Sequence, residues 1–137
     1  MGRRQAREAA LKTLFQVELG GAQPDFALQQ IMSEDKLSNL EIDFARQLVD
    51  GVLIHQRDLD KIVTELSPEW SLERMATIDR LILRMAAYEL LYSSGIPVAV
   101  AISEAVELAK LYSTAESGRF VNGILSSIAK LKSEKDD

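Results

Sequence analysis

Apolar residues recur every three or four positions along almost the whole chain of 137 residues. This spacing is the period of an α-helix, whereas the strict alternation of a half-buried strand is almost missing. Glycine, serine and proline interrupt the pattern at positions 20–21, 67–68 and 94–97, where we expect helices to end. The sequence therefore predicts an all-α fold of about seven helices connected by short loops.

The order of these segments predicts one compact domain, residues 1–137, built from two small helical bundles. The bundles span about residues 1–68 and 69–132, and the polar tail at 133–137 is expected to fray. Trp70 to Met75 is expected to form a short connecting turn or helix. The following segment, from Thr77 to Leu91, is apolar on nearly all sides, which predicts a central helix covered by the others.

Hydroxyl side chains mark three predicted helix starts. Thr77 stands at the beginning of the central segment and is expected to cap it. Ser38 is followed by Glu41, and Ser113 by Glu116, at the spacing of a capping box. In that motif each side chain accepts a hydrogen bond from the other residue's backbone N–H, which fixes where the helix begins.

Residue types that carry catalysis are scarce. The absence of cysteine excludes disulfides and thiol chemistry, and the single histidine, His55, lies in a polar run expected at the surface. Glu104 and Glu107 could face each other on one helix, although pairing of Glu107 with Lys110 explains them as a solvated face. We therefore expect no enzyme activity, metal or cofactor. With no membrane span or secretory signal in the pattern, we expect a cytoplasmic protein.

Charge is distributed unevenly along the chain. The first twelve residues carry a net +3, from Arg3, Arg4, Arg7 and Lys12 against Glu8, whereas the whole chain carries −5 and the remainder therefore −8. Such an acidic body cannot be a broad phosphate-binding surface, but the short basic arm could be a small one.

The three arginines of the arm lie within about 100° of one another on a helical wheel. They continue the line of the core-facing residues Leu11 and Leu14. Because burying unpaired guanidinium groups costs several kcal/mol each, we expect Arg3, Arg4 and Arg7 to extend beyond the core into solvent. Arginine donates in pairs to phosphate, which favours RNA or DNA binding; the alternative is an arm that only solubilises the terminus.

A second polar cluster surrounds the start of the last predicted helix. Free backbone N–H groups at a helix N-terminus suit an anion, and Arg119 adds positive charge. Phe120 could stack on a base, and Asn122 could hydrogen-bond to its edge. The alternative is that Phe120 belongs to the core, Asn122 is structural, and Ser113 and Glu116 only cap the helix.

Four segments, in order and at matching spacing, resemble the NusB family of bacterial transcription antitermination factors. They are RRQAREAAL at 3–11, IDRLILR with AYEL at 78–90, IP with AISEAVELAK at 96–110, and RFVNGIL at 119–125. The resemblance extends from about residue 3 to about residue 130. It implies an all-helical fold of two small bundles and a role that is not enzymatic.

The resemblance also implies partners. It implies binding of the boxA segment of nascent RNA together with the ribosomal protein NusE. That pair would join an RNA polymerase antitermination complex that includes NusA and NusG, notably on ribosomal RNA operons. The resemblance does not decide whether the protein forms a homodimer. The residues expected to bind RNA are Arg3, Arg4, Arg7, Lys12, Glu116, Ser117, Arg119, Phe120 and Asn122, and those expected to face NusE are Phe15 and Asp79.

The chain departs from the family pattern at three positions. Gln5 stands where another basic residue is frequent, and Gly118 where a larger polar residue is common, so both are expected to weaken RNA affinity. Phe15 replaces a frequent tyrosine and removes a hydroxyl. Two alternatives remain from other classes: a helical protein–protein adaptor without intrinsic RNA binding, and an accessory domain of a ribosomal RNA methyltransferase.

Overall fold

The computed structural model describes residues 2–67 and 71–136, and all regular elements in these ranges are helical. The helices are α1 (Gly2–Gly20), α2 (Pro24–Asp35), α3 (Asn39–Leu66), α4 (Thr77–Tyr92), α5 (Val98–Tyr112) and α6 (Ala115–Asp136), with a 3-10 turn at Leu72–Arg74. The predicted all-α fold is confirmed, with six α-helices in these ranges. The predicted helix end at Pro68 and the residue Trp70 lie outside the described residues.

The described residues form two compact units, and the division falls between Ile54 and His55, inside α3. The sequence placed the meeting point of the two halves later, near residue 68. The first unit contains α1, α2 and the beginning of α3, and α1 packs against α2. Its two packed helices bury one apolar face each, comprising Ala6, Ala9, Ala10, Leu11, Leu14, Ala27, Leu28, Ile31 and Met32.

The second unit contains the end of α3 together with α4, α5 and α6, and the last three pack against one another. The sequence prediction of a covered central helix is confirmed in α4, where every side chain from Leu81 to Ala87 is buried. Arg84 is buried among them and forms a two-pronged ion pair with Asp60 of α3. The buried charge of Arg84 is therefore compensated by a carboxylate from α3.

Two expectations about local structure are corrected. The N-cap of α4 is Ala76, which makes no side-chain cap bond, so Thr77 is the first helical residue rather than the cap. The polar tail continues α6 as far as Asp136, and its fraying stays a prediction. His55 is half-buried, and its ring stacks on that of Tyr92 with centroids 3.9 Å apart.

The capping box at the start of α3 is confirmed. The backbone N–H of Glu41 donates to Oγ of Ser38 at 3.2 Å, and the backbone N–H of Ser38 donates to Oε1 of Glu41 at 3.0 Å. The Ser38 backbone N–H, and after it the Ser38 side chain, hold the pKa of Glu41 below its ordinary value. These bonds satisfy two N–H groups that the helix itself cannot pair.

Replacing Ser38 by alanine is expected to lower the free energy of unfolding by about 1 kcal/mol at pH 7, because the cap is lost.

The folded-state pKa of Glu41 is lowered, so the contribution of its carboxylate to stability is present above the unfolded-state pKa. That contribution disappears as the pH falls through the folded-state pKa. Urea titrations of wild type and Glu41→Gln should therefore diverge at neutral pH and converge in acid. If the two proteins differ in free energy of unfolding by the same amount at every pH, the ionised Glu41 side chain does not stabilise the fold.

None of the helices in the described part of the chain is both long and apolar enough to cross a bilayer.

Candidate nucleic-acid interface

The arginine arm lies on the first turns of α1, and the structure divides its three members. Arg3 and Arg4 are exposed, as predicted. Arg7 is buried, with 3% of its surface exposed, so the expectation that it stands in solvent is wrong. Its guanidinium carbon lies 5.1 Å from the centre of the Phe44 ring on α3, and that of Arg3 lies 4.8 Å from the same ring. A cation over an aromatic ring is attracted by the negative face of the ring.

Arg3 and Arg4 are therefore the two exposed cations of the arm, and the ring of Phe44 stabilises the position of Arg3. Lys12, also predicted to bind RNA, pairs with Asp35 of α2 at 3.3 Å and is half-buried. A cleft of about 670 Å³ lies beside Arg3, and the acidic residues Glu41 and Asp43 line it together with Phe44. Electrostatics therefore favour phosphate at the exposed guanidinium groups and disfavour it in the cleft.

The second cluster begins one residue later than the sequence predicted. The backbone N–H of Ser117 donates to Oγ1 of Thr114 at 2.9 Å, so Thr114 caps α6. The predicted pair of Ser113 and Glu116 does not form the capping box; Glu116 is exposed instead. The pair Ser113 and Glu116 and the pair Thr114 and Ser117 each place a hydroxyl three residues before a polar side chain. The hydrogen bond of Ser117 to a distant residue of α4 favours the second pair.

Ser117 is the centre of a buried hydrogen-bond network in the second unit. Its hydroxyl donates to Oδ2 of Asp79 on α4 at 2.9 Å and lies 2.9 Å from the hydroxyls of both Ser113 and Thr114. Ser117 and Asp79 are each 8% exposed. Their burial does not favour the predicted direct contacts of Ser117 with RNA and of Asp79 with NusE. The network instead fixes the start of α6 against α4.

Four other predicted residues of α6 keep part of their surface accessible. Glu116, Arg119 and Asn122 are exposed, and Phe120 is half-buried. Phe120 lines an open cavity of about 350 Å³ together with Glu116, Asp79 and Arg74. Such a cavity can hold a flat ring against Phe120, while Arg74 supplies a cation beside it.

Sequence reasoning missed Arg74 as a candidate for this site. It lies in the 3-10 turn Leu72–Arg74, a segment without periodic pattern, and only the fold brings it beside Phe120. Phe15, predicted to face NusE, is half-buried on α1. Among the residues that the structure describes, no three His, Asp or Glu side chains are grouped to hold a metal ion.

Comparison with known proteins gives one consistent family. A model described as the NusB family matches residues 4–130. The Transcription antitermination protein NusB of Desulforamulus reducens is 48% identical over 137 residues, covering 100% of this chain and 94% of the relative. That of Symbiobacterium thermophilum is 46% identical over 138 residues, covering 95% of this chain and 90% of the relative.

Solved structures agree with this result. T. maritima NusB superposes with a TM-score of 0.87 at 40% identity, covering 93% of this chain and 90% of that one. A structure described as the antitermination factors NusB and NusE in complex with double-stranded RNA gives a TM-score of 0.86 at 28% identity, covering 95% and 97%.

Proposed function

The chain belongs to the NusB family, and from this premise we propose that it is a transcription antitermination factor that binds boxA RNA together with NusE. The observation that carries the proposal is similarity along nearly the whole chain to proteins named as transcription antitermination proteins. That family role is not enzymatic, as expected from the sequence.

Two separate sets of side chains are proposed to bind the RNA. Arg3 and Arg4 contact phosphates from the first unit, and exposed guanidinium groups are suited to this because they donate two parallel hydrogen bonds. Arg119, Phe120 and Asn122 bind from the second unit, with Phe120 stacking on a base. Lys12 and Glu116 remain predicted members of the RNA-binding set.

So few cations give modest RNA affinity, because release of counterions from phosphate supplies much of the binding free energy. NusE is proposed to raise this affinity by adding contact surface and holding the RNA at high local concentration. The net charge of −5 for the whole chain then limits binding to unrelated RNA. A structure of NusB and NusE with RNA supports such a three-component assembly, since it contains a 28% identical relative.

The wider assembly is part of the proposal. The protein with its RNA and NusE is proposed to join RNA polymerase, NusA and NusG in the cytoplasm and to suppress termination on ribosomal RNA operons. A homodimer, if it forms, is proposed as a storage form.

Fluorescence anisotropy with labelled single-stranded boxA RNA, with and without NusE, tests the RNA-binding proposal. Replacing both Arg3 and Arg4 by glutamine is expected to weaken binding about tenfold and to reduce the salt slope by about 1.4, the value for two phosphate contacts on a single strand. Arg7 is left intact because it is buried. Arg57→Gln, at an exposed arginine of α3 outside the arm, is the matched control.

Unchanged affinity and slope in the double variant would show that the arm is not an RNA contact. A protein that captures NusE but binds boxA RNA at no salt concentration would instead be the helical adaptor without intrinsic RNA binding. Incubation with S-adenosylmethionine and ribosomal RNA is expected to give no methyl transfer.

A further inference from the structure

A groove lined by charged, polar and apolar residues runs between α5 and α6 in the second unit, beside the proposed RNA contact of Arg119. Its volume is about 530 Å³, and Arg119 and Asn122 of α6 line one side. Lys110, Glu107 and Ser103 of α5 line the other side. All five side chains are exposed, so the groove is open to a large ligand.

Lys110 reaches this groove because the facing residue on α6 is a glycine. A Cβ atom placed on Gly118 would lie 3.1 Å from Cγ and 3.4 Å from Cε of Lys110. The 3.1 Å distance is shorter than an ordinary van der Waals contact, so the aliphatic stem of Lys110 would have to shift by a few tenths of an ångström to accept a side chain at position 118. Gly118 therefore lets the lysine stem pack closely against α6, in the groove that Arg119 also lines.

The ammonium group of Lys110 is available to a stronger partner. Its Nζ lies 3.8 Å from Oε1 of Glu107, and both side chains are about half exposed, at 52% and 51%. An ion pair that long and that exposed contributes little free energy. A phosphate can replace the carboxylate without leaving a buried charge unpaired.

Resting on the proposed RNA-binding function, we propose that Lys110 and Arg119 together bind a backbone phosphate of the RNA in this groove, and that Gly118 is the residue that gives Lys110 access to it. Two cations in one groove outnumber its single carboxylate, although the chain as a whole is acidic. The amide of Asn122 and the hydroxyl of Ser103 supply neutral donors of the kind that contact the sugar–phosphate backbone. The glycine at 118 then strengthens RNA binding, contrary to the expectation from the family pattern.

Anisotropy titrations of the full chain with NusE and labelled boxA RNA test the lysine first. Lys110→Gln is expected to weaken binding about three- to fivefold, as for one exposed ion pair, and to reduce the salt slope by about 0.7. Lys61→Gln is the matched control, since Lys61 is an exposed lysine of α3 that does not line the groove. A Lys110→Gln variant with the affinity and slope of wild type overturns the proposal.

A double-mutant cycle tests whether Gly118 acts through Lys110. Gly118→Leu removes the space for the lysine stem. Because position 118 is buried and a Cβ there also lies 3.5 Å from Cγ1 of Val106, thermal unfolding must first establish that the variant is folded. We expect Gly118→Leu to weaken RNA binding in the wild-type background and to have no further effect in the Lys110→Gln background. An equal loss in both backgrounds overturns the role of Gly118.

Two further outcomes separate this inference from the proposed function. If the wild-type protein with NusE binds no boxA RNA, the proposed function and the groove site both fail. If wild type binds RNA and Lys110→Gln lowers capture of NusE rather than the salt slope, the groove binds protein and the phosphate site is wrong.

Discussion

Replacing Asp60 by alanine is expected to lower the free energy of unfolding by about 3 kcal/mol, the typical cost of removing one partner of a buried ion pair. Arg84 projects from the central helix α4 with only 6% of its side chain exposed, and Asp60 of α3 meets it with 26% exposed. Nε of Arg84 lies 2.6 Å from Oδ1 of Asp60, and Nη2 lies 3.0 Å from Oδ2. The alanine variant leaves the guanidinium group buried without this carboxylate.

Urea denaturation followed by circular dichroism measures the loss. Asp58→Ala is the matched control, because Asp58 is an exposed aspartate two residues earlier on the same helix. An exposed substitution of this kind is expected to change stability by no more than about 0.5 kcal/mol. If the Asp60 and Asp58 variants unfold at the same urea concentration, the ion pair contributes nothing to the stability of the second unit.

The fold could be predicted from the sequence where the signal is local and repeated. The period of apolar residues identifies α4 as the central helix, and its buried run from Leu81 to Ala87 confirms it. The capping box of Ser38 and Glu41 was predictable because its two partners are three residues apart and need nothing else. Such features depend on neighbours along the chain, which a single sequence displays directly.

The candidate site depends on contacts between distant residues, which the sequence does not display. A helical wheel gives the direction of Arg7, but it cannot show that the ring of Phe44 covers it. The start of α6 was misplaced by one residue because Asp79, 38 residues away, accepts the hydroxyl of Ser117. The exposure of Arg7 and the start of α6 both depend on which side chains are buried, and burial depends on which helices pack together.

For Lys110, the sequence predicts the contact within its own helix but not the contact with another helix. The sequence correctly predicted its pairing with Glu107 on one helix, and the structure contains that pair at 3.8 Å. What the pattern cannot show is that Gly118 on another helix opens space for the lysine stem. A departure from the family pattern that suggested a weaker site thereby becomes a reason to expect a stronger one.

Replacing Phe120 by alanine is expected to weaken binding of boxA RNA about thirtyfold, which corresponds to about 2 kcal/mol for the loss of one stacked base. The ring is half-buried at the start of α6 and lines an open cavity of about 350 Å³, where one face can meet a base. Because the ring carries no charge, the loss should be equal at low and high salt. The arginine and lysine variants, in contrast, should change the salt slope.

Anisotropy titrations at several salt concentrations separate stacking from a general disturbance of α6. Phe120→Tyr keeps the aromatic face and is expected to retain most of the affinity, whereas Phe26→Ala removes a 61% exposed phenylalanine of α2 and should change nothing. Thermal unfolding of each variant establishes that it is folded at the temperature of the titration. If tyrosine at position 120 binds RNA as weakly as alanine does, shape at the α6 start rather than stacking determines RNA affinity, since tyrosine offers the same π-face to a base.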